Sequence, residues 1–295
     1  MNRREFSQLI AGSFLGQALL RGQAQTVKPA VGPRFSVMLW TLEKQAPFER
    51  CLEIVAAAGY QGVELVGEFQ KWSAIDTKNM MRKMRSLGLV FDSMSGVKAG
   101  FAVPAETDAF MAQLDEQIRW ARVLECPQII LLSGKEVEGM THEDQCKTSI
   151  ENLKRASELA DKNKIEIVIE PIDPLENPTI YLRTVTDGFE IVRSVNSKNL
   201  KVLYDFYHEQ RSFGNLIEKL ENNIDWVGLV HIADVPGRHE PGTGEIDYAN
   251  IYRKLAELKY GGVIAMEYYP TGDAETSLKK QRLEAEEALR VARRA

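Results

Sequence analysis

The sequence predicts an α/β protein with a single domain, a (β/α)8 TIM barrel. From Arg34 onward one unit recurs eight times: a short apolar run rich in β-branched residues, a polar turn, and a longer segment with helical spacing. This alternation is typical of parallel strands joined by helical crossovers. Eight units in roughly 260 residues also match the size of such a barrel. The alternative is an open doubly wound sheet, which usually has a glycine-rich turn after its first strand, and Trp40-Thr41-Leu42-Glu43 is not such a turn.

The elements follow one another in strict alternation after residue 34. The predicted strands are 35–41, 62–67, 89–95, 128–133, 165–171, 200–207, 226–233 and 262–268. The predicted helices are 48–58, 78–87, 108–124, 143–163, 187–195, 215–222, 248–258 and 275–294. Gly59 and Gly88 are typical helix stops, and Thr107 is a suitable N-cap. No domain boundary is visible, so the barrel is expected to occupy residues 34–295.

The first 24 residues are expected to be an export signal rather than part of the barrel. Arg3 and Arg4 precede a mostly apolar run at 9–20, and Gly22-Gln23-Ala24 offers the small residues that a signal peptidase reads. The run is too short to cross a bilayer as an ordinary helix. The segment therefore predicts a twin-arginine signal peptide at 1–24, the twin-arginine export machinery as a partner, and a periplasmic location. The alternative is a frayed amphipathic leader on a cytosolic protein.

Composition and charge argue against several classes of protein. The chain has 295 residues, of which 44% are hydrophobic and 27% charged, and a formal net charge of -5. This mild acidity gives no support for a nucleic-acid partner, which would call for a basic face. Cys51, Cys126 and Cys146 are odd in number and have no CxxC spacing, so we expect neither a disulfide framework nor a structural zinc site.

Polar residues at the predicted strand ends are the candidates for chemistry, because the working face of a TIM barrel lies at the carboxyl ends of its strands. These residues are Glu64, Glu170, Asp205, His208, His231 and Glu267. Four of them end four consecutive strands, and neighbouring strands lie about 4.8 Å apart, so Glu170, Asp205, His231 and Glu267 are expected to converge. Asp205 and Glu267 interrupt apolar runs, where an unpaired charge is costly.

Three carboxylates and one imidazole suit a divalent cation such as Mn²⁺, Mg²⁺ or Co²⁺, and zinc remains an alternative. Taken singly, the residues have ordinary explanations as well. Glu170 could pair with a surface lysine, and a lone histidine such as His231 is more often a hydrogen-bonded core residue. Their joint occurrence at consecutive strand ends is the stronger signal. Trp40, Trp72, Phe101 and the pair Tyr268-Tyr269 are candidates to line a pocket, although aromatics at strand ends are more often core.

The loop after the seventh predicted strand resembles that of a known family. The stretch His231-Ile-Ala-Asp-Val-Pro-Gly-Arg238-His239-Glu240-Pro, followed by Gly244-Glu245-Ile-Asp-Tyr248, is similar to the hydroxypyruvate isomerase family of the xylose-isomerase-like barrels. The similarity extends through Tyr260-Gly-Gly-Val-Ile-Ala-Met-Glu267-Tyr-Tyr-Pro270 and back to Leu203-Tyr-Asp205-Phe-Tyr-His208.

This resemblance implies roles for individual residues. It implies a metal held by Glu170, Asp205, His231 and Glu267, with Glu170 and Glu267 also forming an acid/base pair. It further implies that His208 and Arg238 contact substrate oxygens, with Glu176 assisting from the loop after the fifth strand. Residues 171–178 match the family less closely, so the substrate pocket is expected to differ there. The export signal also departs from the cytoplasmic location expected of this family.

The function that the resemblance implies is a metal-dependent isomerase of the aldose-ketose type acting on a small hydroxy-carbonyl compound. The named expectation is conversion of hydroxypyruvate to tartronate semialdehyde through an enediolate. A ketose 3-epimerase would use the same metal and glutamate pair. A phosphodiester-cleaving barrel would need several metals and more than the four histidines present. A non-catalytic, exported sugar-binding barrel is the fourth alternative. Barrels of this type commonly associate, so a homo-oligomer is expected, although no interface is visible in the sequence.

Overall fold

The strands close into a complete barrel. The computed structural model describes residues 32–292, so the predicted export signal at 1–24 lies outside the described residues. Eight parallel strands pair in chain order, and the first pairs with the last. The strands are β1 (Arg34–Met38), β2 (Gly62–Val66), β3 (Val90–Ser95), β4 (Gln128–Leu132), β5 (Glu166–Glu170), β6 (Leu200–Asp205), β7 (Val227–Ile232) and β8 (Val263–Met266). The predicted single-domain (β/α)8 barrel is therefore confirmed.

Helices surround the barrel and connect its strands. Those in the described part of the chain are α1 (Phe48–Ala57), α2 (Ala74–Leu87), α3 (Thr107–Val123), α4 (His142–Asn163), α5 (Val185–Val195), α6 (Phe206–Ser212), α7 (Leu216–Glu221), α8 (Tyr248–Glu257) and α9 (Ala274–Ala292). Helix α2 begins four residues before the predicted Lys78, because Ser73 and Asp76 form a capping box at its start. Between residues 32 and 292, no helix has the length and apolar character needed to cross a membrane.

The prediction that the sixth strand runs to residue 207 is wrong. Strand β6 ends at Asp205, and helix α6 starts at the next residue. The Asp205 carboxylate accepts hydrogen bonds from the backbone N–H groups of Tyr207 (2.7 Å) and His208 (3.1 Å), which is the contact of an N-cap residue. His208 therefore lies in the first turn of a helix and not on a strand.

An apolar layer inside the barrel supports the four predicted site residues. It consists of six buried residues from six strands: Met38, Ile130, Val168, Leu203, Leu229 and Ala265. Side chains alternate between the two sides of a strand. Each of Val168, Leu203, Leu229 and Ala265 lies two residues before one of the four site residues and so faces the same side. The layer is the floor of the candidate site, and the larger core lies between the barrel and its helices.

Candidate active site

The polar side chains at the ends of four strands lie close together. Glu170, Asp205, His231 and Glu267 come from the ends of β5 to β8, and all four are buried. Each offers one ligand atom, and these atoms all lie within 4.8 Å of one another. The predicted convergence is therefore present in the structure, at the carboxyl end of the barrel. The roles of the individual residues stay a prediction.

Glu267 is surrounded by hydrogen-bond donors. Its Oε2 lies 2.6 Å from His231 Nδ1 and 2.7 Å from Arg238 Nη2. Trp40 donates from its indole nitrogen to the other oxygen, Oε1, over 3.1 Å. Burial alone would raise the pKa of Glu267, but the charges of Arg238 and His231 more than offset it and hold the pKa well below its usual range. Glu267 is therefore a stable anion in this setting.

Glu170 has different surroundings. His208 Nε2 faces its Oε1 from 4.0 Å, beyond hydrogen-bond length. Burial, together with the neighbouring charge of Glu267, raises the pKa of Glu170 to about 7. The two glutamates thus have pKa values displaced in opposite directions. Such a separation is the arrangement that acid and base catalysis by two carboxyl groups requires.

Both nitrogens of His231 contact carboxylates. Nδ1 faces Glu267, and Nε2 lies 2.8 Å from Glu64 Oε2. Burial would lower the pKa of His231, but the charges of Glu267 and Glu64 outweigh that effect and raise it well above its usual value. Glu64 is fully buried on β2. The imidazole is therefore held between Glu267 of the acidic cluster and Glu64.

His208 is oriented by Asp173, which lies in the loop after β5. Asp173 Oδ2 lies 2.7 Å from His208 Nδ1, while the other carboxylate oxygen accepts hydrogen bonds from the backbone N–H groups of Leu175 and Glu176. The opposite ring nitrogen, Nε2, lies 3.6 Å from Asp205 Oδ2. His208 therefore presents this nitrogen to the acidic cluster, beside Glu170.

Arg238 spans the site. Its Nη1 donates to both oxygens of Glu176, at 3.0 and 3.1 Å, and its Nε donates to the backbone carbonyl of Glu267. The guanidinium carbon lies 5.4 Å from the centre of the Trp40 ring and 5.0 Å from that of Tyr207. The three predicted substrate-binding residues, His208, Arg238 and Glu176, are thus placed beside the acidic cluster.

The loop that carries Arg238 is organised by Asp234, which is fully buried. One oxygen accepts from the N–H groups of Gly242 and Gly244, and the other from those of Val235 and Ile246. A Cβ atom at Gly244 would lie 1.9 Å from the carbonyl oxygen of Val235, so no larger residue fits this position. The conformation of the loop is therefore set by contacts within the loop itself.

The strand-end pattern found the four converging residues, but three further contacts were missed or left unassigned. The strand-end pattern includes Glu64 but predicts no partner for it, although Glu64 stands between Val63 and Leu65 in the same kind of apolar run as Asp205. Asp173 lies in the segment 171–178, which matched the family poorly. Among the candidate aromatics, Trp40 contacts Glu267 and Tyr269. Trp72 packs against the core, and Phe101 and Tyr268 are buried within it.

The fold and the clustered strand ends agree with one family. A model of that family, the xylose isomerase-like TIM barrel, matches residues 52–295, and the chain therefore belongs to it. The chain is 31% identical over 250 residues to 2-oxo-tetronate isomerase of Haemophilus influenzae. It is 30% identical over 250 residues to hydroxypyruvate isomerase of Escherichia coli. Each match covers 83% of this chain and 97% of the relative.

Solved structures give the same fold. A crystal structure from Brucella melitensis, described as an AP endonuclease of family 2, has a TM-score of 0.77 at 27% identity and covers 83% of this chain and 96% of that one. The structure of the IOLI protein contains a zinc atom. It has a TM-score of 0.72 at 16% identity, covers 88% of this chain and 98% of that one, and shows a shared fold alone. The family expected from the loop after β7 is confirmed by the family model and by the two relatives that are about 30% identical.

Proposed function

We propose that the protein is a metal-dependent isomerase that moves a carbonyl group between neighbouring carbons of a small hydroxy-keto acid, with hydroxypyruvate as the preferred candidate. The observation that carries this proposal is the convergence of Glu170, Asp205, His231 and Glu267 within 4.8 Å. The names of the two relatives that are about 30% identical over nearly their whole length, both isomerases of small keto acids, support the choice of reaction.

The donor set fits a divalent ion. Carboxylate oxygens with one imidazole nitrogen suit Mn²⁺, Mg²⁺ or Co²⁺, and zinc is a further candidate. Glu170, Asp205, His231 and Glu267 would hold the ion. When bound, the ion supplies Lewis-acid stabilisation of the negative charge that develops on the substrate oxygens.

The two glutamates would move the protons. Shifting a carbonyl requires removal of a proton from the hydroxyl-bearing carbon beside it and delivery of a proton to the former carbonyl carbon. In the same reaction the hydroxyl oxygen loses its proton and the former carbonyl oxygen gains one, so that atoms and charge balance. Glu267, whose pKa is held low, would take the proton as a carboxylate, and Glu170 would return a proton to the neighbouring carbon. Each positioned group of this kind contributes about 10² to 10⁴ in rate.

The remaining polar residues would orient the substrate. Arg238 has a planar guanidinium that can hold a carboxylate through paired hydrogen bonds, and it lies 2.7 Å from the candidate base Glu267. His208 presents Nε2 beside Glu170, which suits a contact with a substrate oxygen. Apolar residues beneath the acids exclude water from that side.

A panel assay tests the proposal. Purified protein supplied with Mn²⁺ is incubated with hydroxypyruvate, a four-carbon 2-oxo acid and a ketohexose, and the products are resolved by NMR. We expect the carbonyl to migrate in the keto acids, and we expect no change in protein treated with a chelator. Inversion at one carbon of the ketohexose without carbonyl migration would instead identify an epimerase. Binding without turnover of any compound would identify a sugar-binding protein.

We also propose that residues 1–24 direct export by the twin-arginine route to the periplasm. The support is the twin arginines, Arg3 and Arg4, ahead of the apolar run at 9–20. Replacing both arginines by lysine should retain the protein in the cytoplasm, as measured by cell fractionation. Unchanged export of that variant, or a cytoplasmic location of the unchanged chain, would contradict the proposal.

A further inference from the structure

Glu64 is a buried acid that the proposed chemistry does not use. It lies on β2, on the opposite side of the barrel from the acidic cluster, and its exposed fraction is 0%. Its Oε2 contacts His231 Nε2 at 2.8 Å, across 167 residues of sequence. Its Oε1 is buried and has no hydrogen-bond partner in the described part of the chain.

This arrangement is unfavourable for a residue with a purely structural role. A buried carboxylate with one unsatisfied oxygen costs stability, because the group has lost its water without full replacement. Asp92, on the neighbouring strand β3, is a second buried acid nearby. An amide or an apolar side chain of similar size would serve the barrel better. The acid at this position therefore calls for an explanation beyond the fold.

The contacts of the two ring nitrogens of His231 explain why an acid occupies position 64. Nδ1 faces the acidic cluster, where Glu267 lies 2.6 Å away, and Nε2 faces Glu64. A histidine that binds a metal through one nitrogen commonly donates its other N–H to a carboxylate, which fixes both the orientation of the ring and the position of its proton. Glu64 occupies that outer position.

We propose that Glu64 is a positioning residue for the cation site: it accepts the Nε2 proton of His231 and so presents Nδ1 as the ligand. This inference rests on the proposed function, because it needs a divalent ion at the cluster. Glu64 itself contacts neither the ion nor the substrate. Its effect reaches the site through His231 alone.

Binding of Mn²⁺ alone, measured by titration calorimetry without substrate, tests the inference on the full-length protein. Glu64→Gln keeps an oxygen acceptor and removes the charge, whereas Glu64→Leu removes both. We expect the affinity for Mn²⁺ to fall about 10-fold in the first variant and about 100-fold in the second. The matched control is Asp92→Asn, which removes a buried acid that pairs with Arg34 at 2.5 Å, and we expect its affinity to stay within about twofold of the unchanged protein.

Two further readouts separate positioning from a role in folding. In the metal-free protein, both Glu64 variants should still fold and should show a cooperative thermal unfolding transition. The chain has four histidines, so selective ¹⁵N labelling of the Zn²⁺-loaded protein gives a simple spectrum. We expect one ring with Nε2 protonated and Nδ1 bound to zinc.

The results of these experiments distinguish failure of this inference from failure of the proposed function. Unaltered Mn²⁺ affinity in Glu64→Leu overturns this inference and leaves the proposed function standing. A ring bound to zinc through Nε2, an equal loss of affinity in Asp92→Asn, or unfolding of both metal-free Glu64 variants also overturns it. Failure of the unchanged protein to bind Mn²⁺ overturns the proposed function, and this inference with it.

Discussion

The ends of strands β5 and β8 place the same residue type in two contrasting environments. Glu170 and Glu267 are both buried at the carboxyl end of the barrel. Glu267 contacts Arg238, His231 and Trp40 within hydrogen-bond distance, whereas Glu170 faces His208 from 4.0 Å. The pKa of Glu267 is therefore lowered and that of Glu170 is raised to about 7. The contrast shows that neighbouring groups, and not the residue type, set the pKa of each carboxyl group.

Removing each carboxylate should have the largest effect. Glu267→Gln should lower isomerase turnover about 10³- to 10⁴-fold, and Glu170→Gln about 10²- to 10³-fold, since each loses a positioned proton-transfer group. Both kcat values are measured on folded, Mn²⁺-supplied protein, with the exposed Glu245→Gln as the control. Full activity in either variant would remove that residue from the acid/base pair.

The same two substitutions should change the stability of the metal-free protein in opposite directions. The contribution of Glu170 to stability is fully present below its usual pKa of 4.5 and is lost as the pH rises through about 7, a change worth roughly 3 kcal/mol. The contribution of Glu267 is present above its usual pKa of 4.5 and is lost as the pH falls through its lowered folded-state pKa. In chelator at pH 8, Glu170→Gln should therefore raise the melting temperature and Glu267→Gln should lower it. Shifts of the same sign would refute the contrast.

Metal binding should depend on pH through Glu170 more than through Glu267. A carboxyl group must lose its proton before it binds a cation, and the pKa of Glu170 lies at about 7. The affinity for Mn²⁺ should therefore fall at least tenfold for each pH unit below 7, because His231, whose pKa is also raised, must lose a proton too. Calorimetric titrations at pH 5, 6, 7 and 8 would measure this slope. Glu170→Gln should bind more weakly but with a flatter dependence, and an unchanged slope would assign the proton to another group.

The smallest effect is expected from Trp40. Trp40→Phe removes the hydrogen bond to Glu267 Oε1 and keeps most of the ring. A hydrogen bond to a charged group is worth about 1.5 kcal/mol, so kcat should fall about tenfold. The acidic limb of the pH–rate profile should also move to higher pH, because the pKa of Glu267 rises. Phe69→Leu, a change in the core, should not move that limb.

The barrel fold and the convergence of four polar strand ends could both be predicted from the sequence. Strand and helix periodicity is local, and the carboxyl ends of parallel strands must meet on one face, so Glu170, Asp205, His231 and Glu267 could be grouped without coordinates. The start of α6 was missed because Phe206 and Tyr207 continue an apolar run, although Asp205 is a favoured N-cap residue and its capping hydrogen bonds are local. The partners of Glu64 and Asp173 were missed because contacts across 167 and 35 residues leave no periodic signal.

The self-supporting loop around Asp234 has a consequence for protein engineering. Its four backbone hydrogen bonds to one carboxylate leave few positions that tolerate replacement, and Gly244 admits no side chain. Residues 171–184, by contrast, bring the half-exposed Glu176 against Arg238. Directed evolution toward new substrates should therefore target the exposed positions of this second segment, which lie beside the candidate site, and spare the loop that holds the arginine.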